Sequence, residues 1–130
     1  LVVDDNPVNI RICELFMHAF GVETAAAANG LEALARLDAE PFDVVLLDMH
    51  MPVMDGPHTI AAIRASARPW RGVPVIAVTA DVMGGARERY LSLGLDGFVP
   101  KPLSARELGQ AVAEVLQPDT QRERERRLAG

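Results

Sequence analysis

Short apolar runs alternate along the chain with longer segments in which apolar residues recur every three or four positions. Residues 44–47 and 75–78 are continuous apolar runs, which is typical of strands buried on both faces of a parallel sheet. Residues 1–3 and 98–99 are shorter runs, and residues 22–26 form a weaker one. The pattern predicts five strands.

Helical periodicity fills the gaps between these runs. Pro7 is a favourable first residue for a helix, and Gly21 is a favourable terminator. The predicted buried stripe of this first helix comprises Val8, Ile12, Leu15, Phe16 and Ala19. A second helix follows Asn29, and its predicted stripe comprises Leu31, Leu34 and Leu37.

Three further helices are predicted at about residues 57–67, 83–93 and 104–116. Ile60 and Ile63 are expected to point inward from the first of these. Ser104 and Glu107 have the spacing of a capping box at the start of the last. Helices therefore separate the strands in strict alternation.

This alternation favours an α/β fold with a parallel sheet and helices on both faces. We expect a flavodoxin-like, doubly wound sheet of five strands in the order 2-1-3-4-5, which is a common arrangement of such units. Right-handed crossovers place the carboxyl ends of all strands at the same edge, where sites in such sheets lie.

Length and composition limit the possible classes of protein. The 130 residues suffice for one domain, which we place at residues 1–117. Residues 118–130 form a charged tail whose segment 121–128 holds four Arg and two Glu; a solvated linker is favoured over a helix that continues toward a neighbouring domain. Because the chain opens on Leu1 within a strand, we expect an excised domain of a longer protein, without a signal peptide.

Charge and cysteine content exclude further classes. The net charge is −5 and the body has no basic patch, which argues against nucleic acid as a partner. No apolar run is long enough to span a bilayer, so we expect no membrane contact by this domain. Cys13 is the only cysteine, which excludes a disulfide framework and fits a cytoplasmic location.

Chemistry-bearing residues follow the ends of the predicted strands: Asp4, Asp5, Asp48, Thr79 and Lys101. Lys101 is the only lysine beside twelve arginines, which indicates a position that requires a compact ammonium group. Converging carboxylates usually need a cation, and Mg²⁺ suits carboxylates, water and phosphate. The alternative is that one acid caps the first helix and the others pair with Arg. The complete set is suited to phosphoryl transfer to an Asp carboxylate.

Four segments at these strand ends resemble the response-regulator receiver domain, of the kind attached to hybrid sensor histidine kinases. They are residues 3–9 (VDDNPVN), 46–56 (LLDMHMPVMDG), 75–80 (VIAVTA) and 97–102 (GFVPKP). The resemblance covers about residues 1–117. Any one segment is a weak signal, but four in the right order and spacing are strong.

The resemblance implies the roles of the acidic residues. Asp48 matches the phosphoacceptor, which attacks phosphohistidine on a partner protein. Asp5 matches the acid that binds Mg²⁺ directly, and Asp4 the acid that acts largely through water. The backbone carbonyl of His50 would be a further metal ligand, and Mn²⁺ is a possible substitute ion.

The resemblance also implies the residues of a switch. Thr79 matches the hydroxyl that turns toward the phosphoryl group, assisted by the backbone amide of Ala80. Lys101 matches the lysine that pairs with the phosphoryl group, and the Lys101–Pro102 bond would be cis. Phe98 occupies the position of the switch aromatic but lacks the hydroxyl of the more frequent Tyr.

Other positions are expected to tune the reaction. His50 and Asp81 stand two residues after Asp48 and Thr79, and we hypothesise that they set the rate of autodephosphorylation. Gly84 and Gly85 are expected to loosen the fourth helix.

Three functions remain open from the sequence. The leading one is a phosphoacceptor module of a two-component phosphorelay, which is catalytic only toward its own phosphorylation and dephosphorylation. Its expected partner is a histidine kinase or a histidine phosphotransfer domain, with a homodimer possible. The alternatives are a degenerate receiver that serves only for docking, and a Mg²⁺-dependent phosphohydrolase with an aspartyl nucleophile.

Overall fold

A computed structural model describes residues 1–80 and 85–129, without the side chains of residues 87 and 129. The strands are β1 (Val2–Val3), β2 (Ala26–Ala27), β3 (Val45–Asp48), β4 (Val75–Thr79) and β5 (Gly97–Pro100). The helices are α1 (Pro7–Ala19), α2 (Gly30–Ala39), α3 (Gly56–Ala65), α4 (Ala86–Ser92), α5 (Ala105–Leu116) and α6 (Pro118–Ala129), with a 3-10 turn at Pro69–Gly72.

The strands form one parallel sheet in the order β2-β1-β3-β4-β5. This order confirms the predicted fold. Because β1 lies between β2 and β3, the strand order reverses beside β1, and the carboxyl ends of β1 and β3 are neighbours. That edge is where a doubly wound sheet forms its crevice.

Two apolar cores cover the two faces of the sheet. Residues of α1 and α5, such as Met17 and Leu108, pack on one face. Residues of α2, α3 and α4 pack on the other, among them Leu37, Ile60 and Ile63. The sheet is therefore buried on both sides, which explains why β3 and β4 read as continuous apolar runs.

The predicted stripe of α1 is wrong for most of its residues, and Phe16 is the member that packs against the core. Val8 is 63% exposed and Leu15 is 50% exposed, whereas Cys13 and Met17 are buried. The helix carries apolar residues on two sides, and the side that packs on the sheet is centred on Cys13 and Met17, with Phe16 at its border. Leu31 of α2 is likewise exposed, and Ala33 takes the buried position beside Leu37.

The second strand also differs from its predicted position at residues 22–26. Gly21 has a φ of 78°, and the Val22 amide donates to the Met17 carbonyl oxygen at 3.0 Å, which ends α1 in a left-handed turn. Val22 is thus engaged by the end of α1, and pairing with β1 begins only at Ala26.

Helices α3 and α5 agree with the sequence predictions, and α4 differs from its predicted start. Ile60 and Ile63 are fully buried, and the Ser104 hydroxyl accepts a hydrogen bond from the Glu107 amide at 3.0 Å, as predicted. Helix α4 begins at Ala86, later than predicted; residues 81–84, which include Asp81 and Gly84, lie outside the described residues.

The charged tail forms α6, so the favoured prediction of a solvated linker is wrong. Arg124 of α6 is only 5% exposed and reaches a carboxylate at the start of β5, with Arg124 Nε 2.5 Å from Asp96 Oδ1. Arg124 also donates to the Gly72 carbonyl oxygen at 2.6 Å. A buried acid that accepts arginines from the tail gives this segment the tertiary contact that its own sequence pattern does not reveal.

Asp96 is the centre of a charged cluster. Its carboxylate accepts hydrogen bonds from Arg64 of α3 at 3.0 Å, from Arg127 of α6 at 3.2 Å and from the Val75 amide at 2.8 Å. The cluster lies at the amino ends of β4 and β5, opposite the edge of the sheet where β1 and β3 end. In the part of the chain that the structure describes, no helix combines the length and apolarity needed to cross a membrane.

Candidate phosphoacceptor and metal site

Three aspartates meet at the carboxyl edge of β1 and β3. One carboxylate oxygen from each of Asp4, Asp5 and Asp48 lies within 4.8 Å of the other two. Asp4 is 4% exposed and Asp48 is 3% exposed, whereas Asp5 is open to solvent. The register of β1 with β3 produces this convergence, because Val3 pairs with Leu47 and each strand then runs directly into its acid.

Backbone amides fix two of these carboxylates. The Asn6 amide donates to Asp4 Oδ1 at 2.9 Å, and the Asn6 side chain in turn caps α1 by accepting from the Val8 amide at 2.9 Å. The His50 amide donates to Asp48 Oδ1 at 3.2 Å. Each acid is therefore oriented by the loop that follows it.

Glycine allows the loop after β3 to lie close to α3. A Cβ atom at Gly56 would lie 2.5 Å from the Met49 Cα atom and 2.9 Å from the Asp48 carbonyl oxygen. Only a residue without a side chain fits this approach. Gly56 thus allows the first turn of α3 to pack against residues 49–55, the loop after the proposed acceptor Asp48, which is called the acceptor loop below.

The electrostatics of the cluster favour a cation. The pKa of Asp4 is raised above its ordinary value, and burial is the largest cause. The charges of Asp48 and Asp5 also raise this pKa, whereas the hydrogen bond from the Asn6 amide and the charge of Lys101 lower it. The neutral form of a carboxyl group is favoured where burial and like charges outweigh the partners. A divalent ion would remove this conflict.

Lys101 places a cation beside two of the acids. Its Nζ atom lies 3.1 Å from Asp48 Oδ1 and 4.0 Å from Asp4 Oδ2. The Lys101 amide donates to the Thr79 carbonyl oxygen at 2.9 Å, and the Lys101–Pro102 peptide bond is cis. The end of β5 therefore directs the ammonium group across β4 toward the acceptor.

Thr79 ends β4 and is fully buried. Its Oγ1 atom lies 3.1 Å from the Tyr90 hydroxyl, and either group is able to donate. The Tyr90 and Phe98 rings have centroids 5.8 Å apart and planes inclined by 55°. Thr79 and Phe98, both predicted as switch residues, therefore share Tyr90 as a neighbour.

Tyr90 was not among the predicted site residues. It is the only tyrosine in the chain and is buried in α4, between two strand ends that were predicted to carry the site. The sequence offered one signal for Tyr90, which is that it carries the only phenolic hydroxyl of the chain. A buried tyrosine hydroxyl usually has a hydrogen-bond partner. The helical pattern alone assigns it to the core.

The other predicted residues take different places. Ala80 follows β4 and is exposed, as are Pro102 and the side chain of His50. Asp81 lies outside the described residues. The structure therefore joins Asp4, Asp5, Asp48 and Lys101 directly, with Thr79 and Phe98 linked through Tyr90.

Comparison with known proteins identifies the family. The family model described as "Response regulator receiver domain" matches residues 1–113. The chain is 39% identical over 114 residues to the sensor histidine kinase GacS of Pseudomonas protegens, which covers 86% of this chain and 12% of that protein. It is 33% identical over 108 residues to the histidine kinase BarA of Shigella flexneri, covering 83% of this chain and 12% of that protein. The chain thus spans about an eighth of these relatives.

Solved structures show the same fold. The chemotaxis protein CheY4 of Vibrio cholerae has a TM-score of 0.80 at 28% identity, covering 88% of this chain and 95% of CheY4. The receiver domain of sensor histidine kinase PA1611 of Pseudomonas aeruginosa has a TM-score of 0.77 at 33% identity, covering 87% of this chain and 92% of that domain. That structure holds a magnesium ion in its active-site cleft.

The family match spans nearly the whole sheet, and the acids and the lysine stand at the strand ends where the four predicted segments place them. The chain therefore belongs to the response regulator receiver domain family, the phosphoacceptor modules of two-component signalling.

Proposed function

We propose that Asp48 accepts a phosphoryl group from a phosphohistidine on a partner protein, with Mg²⁺ bound by the neighbouring acids. The observation that carries this proposal is the convergence of three aspartate carboxylates within 4.8 Å, beside a lysine 3.1 Å from Asp48. A nucleophile, a metal site and a fixed ammonium group are the parts that phosphoryl transfer requires.

Asp48 is the nucleophile in this reaction. A carboxylate oxygen of Asp48 forms a bond to phosphorus while the phosphorus–nitrogen bond to the imidazole breaks, and the electron pair of that bond returns to the imidazole nitrogen. The product is an acyl phosphate on Asp48. The His50 amide, which donates to Asp48 Oδ1 at 3.2 Å, keeps that oxygen in place.

Lys101 neutralises charge on the phosphoryl group. Its ammonium group pairs with Asp48 Oδ1 before the reaction and is within reach of an oxygen of the incoming group. A flexible side chain with a compact charge is suited to this exchange of partners. The Ala80 amide and the Thr79 hydroxyl are proposed to bind further phosphoryl oxygens.

Asp4, Asp5, Asp48 and the carbonyl of His50 would hold the metal. Their oxygens are the ligands that Mg²⁺ prefers. Burial, and to a smaller extent the charges of Asp48 and Asp5, raise the pKa of Asp4, and a bound cation would favour its ionised form. When bound, Mg²⁺ supplies neutralisation of the phosphoryl oxygens. Mn²⁺ has similar ligand preferences and is proposed as a substitute.

The partner is proposed to be a histidine kinase or a histidine phosphotransfer domain, with the transfer taking place in the cytoplasm. The supporting observation is that relatives such as GacS and BarA are histidine kinases in which the matching segment is a small part of the protein. A homodimer is compatible with this scheme, and nucleic acid has no part in it.

The decisive experiment is intact-protein mass after incubation with acetyl phosphate, with and without Mg²⁺. We expect a Mg²⁺-dependent phosphate adduct on the wild type and on Asp43→Ala, which removes an exposed acid before β3. Asp48→Ala is expected to form none. An adduct that persists in Asp48→Ala, or forms equally without Mg²⁺, would contradict the proposal, and multiple turnover of phosphoesters would favour a phosphohydrolase.

The tuning role of His50 and Asp81 is a separate part of the proposal. Both follow residues that are proposed to contact the phosphoryl group, so their side chains are expected to affect water access to it. We expect His50→Asn and Asp81→Ala to change the decay rate of the phosphorylated protein, followed by mass after removal of the donor. Unchanged decay in both variants would exclude this role.

A further inference from the structure

A buried hydrogen bond joins the end of β4 to α4 beside the proposed acceptor. Thr79 Oγ1 and the Tyr90 hydroxyl are 3.1 Å apart, and both side chains are buried. Thr79 directly follows Val78, and Val78 is the strand partner of Asp48. The hydrogen bond to Tyr90 is therefore made by Thr79, one residue beyond the strand position that pairs with Asp48.

The hydrogen-bonding capacity of Thr79 limits what this bond can do during phosphorylation. A hydroxyl has a single proton to donate. If Thr79 donates to a phosphoryl oxygen on Asp48, it cannot also donate to Tyr90. A hydrogen bond to an anionic oxygen is also stronger than one between two neutral hydroxyls. If Tyr90 is the donor, the exchange comes from movement instead, because a Thr79 hydroxyl that turns toward the phosphoryl group leaves its 3.1 Å contact with the Tyr90 hydroxyl.

Phe98 cannot take part in this competition through hydrogen bonding, because its side chain has no polar group. It instead packs against Tyr90, with ring centroids 5.8 Å apart. Tyr90 is the only source of an aromatic hydroxyl in the chain. The ring and the hydroxyl that a tyrosine at position 98 would combine are thus divided between Phe98 and Tyr90.

We propose that Tyr90 is a positioning residue for the phosphoryl switch: its hydroxyl holds Thr79 in the unphosphorylated domain, and Thr79 exchanges that bond for one to the phosphoryl group on Asp48. This inference rests on the proposed function, because it requires phosphorylation of Asp48. Since α4 carries Tyr90, the exchange removes a contact between α4 and β4 and so transmits the reaction to that helix.

The single tyrosine provides a direct test. Tyrosine labelled with ¹³C at Cζ gives one NMR resonance, whose shift depends on hydrogen bonding of the hydroxyl. We expect Thr79→Val to shift this resonance in the free domain. Beryllofluoride with Mg²⁺, a stable mimic of the phosphoryl group, is expected to shift it in the wild type but not in Asp48→Ala.

Tyr90→Phe removes the hydroxyl and keeps the ring. Because the variant lacks a bond that stabilises only the unphosphorylated form, we expect it to bind beryllofluoride roughly twofold to tenfold more tightly, the effect of one net hydrogen bond. Affinity is measured from bound fluoride by ¹⁹F NMR. The matched control is Thr59→Val, which deletes another buried hydroxyl, one that donates to the Asp55 carbonyl oxygen at 2.6 Å, and should leave the affinity unchanged.

The outcomes separate this inference from the proposed function. Equal affinity of wild type and Tyr90→Phe, or a tyrosine resonance that Thr79→Val and beryllofluoride leave in place, overturns the role of Tyr90 while the proposed function stands. Failure of the wild type to bind beryllofluoride with Mg²⁺ overturns both. The exchange of hydrogen bonds by Thr79 is supported if Tyr90→Phe binds beryllofluoride more tightly while Thr59→Val does not. It also requires that Thr79→Val and beryllofluoride each shift the tyrosine resonance.

Discussion

Val53 adopts a left-handed backbone conformation in the loop between β3 and α3, with a φ of 73°. This region costs an L-residue about 1–2 kcal/mol, and a β-branched side chain is especially unsuited to it. The Val53 side chain is 76% exposed, so little packing compensates for the cost. The acceptor loop therefore carries local strain that a glycine would remove.

We predict that Val53→Gly raises the free energy of unfolding by about 0.5–1 kcal/mol, because relief of strain exceeds the entropy that glycine adds to the unfolded chain. Urea denaturation measures the change. Val8→Gly is the matched control, since Val8 is also exposed but lies in α1, where glycine is destabilising by up to about 1 kcal/mol. Equal losses in the two variants would exclude strain at Val53.

Cys13 is buried in α1, and burial, followed by the charge of Asp4, raises the pKa of its thiol to about 11 from 9.0. The thiolate is the reactive form. We predict that at pH 8 the folded domain reacts with iodoacetamide at least about 100-fold more slowly than the chain in guanidinium, as a two-unit pKa shift implies. Intact mass over time measures both rates.

The same shift has a consequence for stability. The folded state favours the neutral thiol, so the contribution of Cys13 to the free energy of unfolding depends on pH. This stabilising contribution is fully present below pH 9.0 and is lost as the pH rises through about 11. Alkylation of the folded domain at a rate close to that of the denatured chain would show that Cys13 is accessible, contrary to its burial.

At the scale of elements, α6 is held by charge rather than by an apolar face. We predict that Arg124→Ala lowers the free energy of unfolding by about 2 kcal/mol, less than the full cost of breaking a buried pair because Arg64 and Arg127 still contact Asp96. Arg126→Ala removes an exposed arginine from the same helix and should have little effect. Urea denaturation of both variants measures the difference, and equal losses would contradict the anchoring role.

The sequence predicted elements well where the pattern had one interpretation. Strands β3 and β4 are buried on both faces, so their runs are unambiguous, and Ser104 caps α5 through a local interaction that the sequence displays. The sequence did not predict which side of α1 is buried, because apolar residues lie on two sides of this helix. Packing against α5 and the sheet determines which side is buried.

The same distinction applies to the site. The acids and Lys101 follow strand ends, so topology alone brings them together. Tyr90 and Arg124 were missed because each owes its importance to a partner distant in sequence, Thr79 for one and Asp96 for the other. Periodicity reports which side of a helix is apolar, and it carries no information about such polar partners.

For the whole molecule, the metal site and the fold are thermodynamically linked. An ion that binds only the folded state raises its stability, by about 2.7 kcal/mol when the free ion exceeds its dissociation constant 100-fold. We predict that MgCl₂ raises the melting temperature of the domain relative to NaCl of equal ionic strength. Thermal unfolding followed by circular dichroism measures the shift.

Asp5→Asn should abolish this stabilisation, since Asp5 is the exposed member of the acidic cluster and its loss is compatible with folding. Asp43→Asn, which neutralises an exposed acid outside the cluster, should retain it. A response to Mg²⁺ that is the same in both variants would place the ion elsewhere on the molecule.

The acceptor and the arginine cluster around Asp96 stand at opposite edges of one sheet. Selection can therefore act on them independently: changes at Asp96 or α6 alter how the tail is attached without touching the chemistry, and changes among the acids alter reactivity without loosening the tail. A domain built this way can diversify its surroundings over evolution while its reaction is conserved, and a designer who exchanges tails can expect the acceptor to keep its properties.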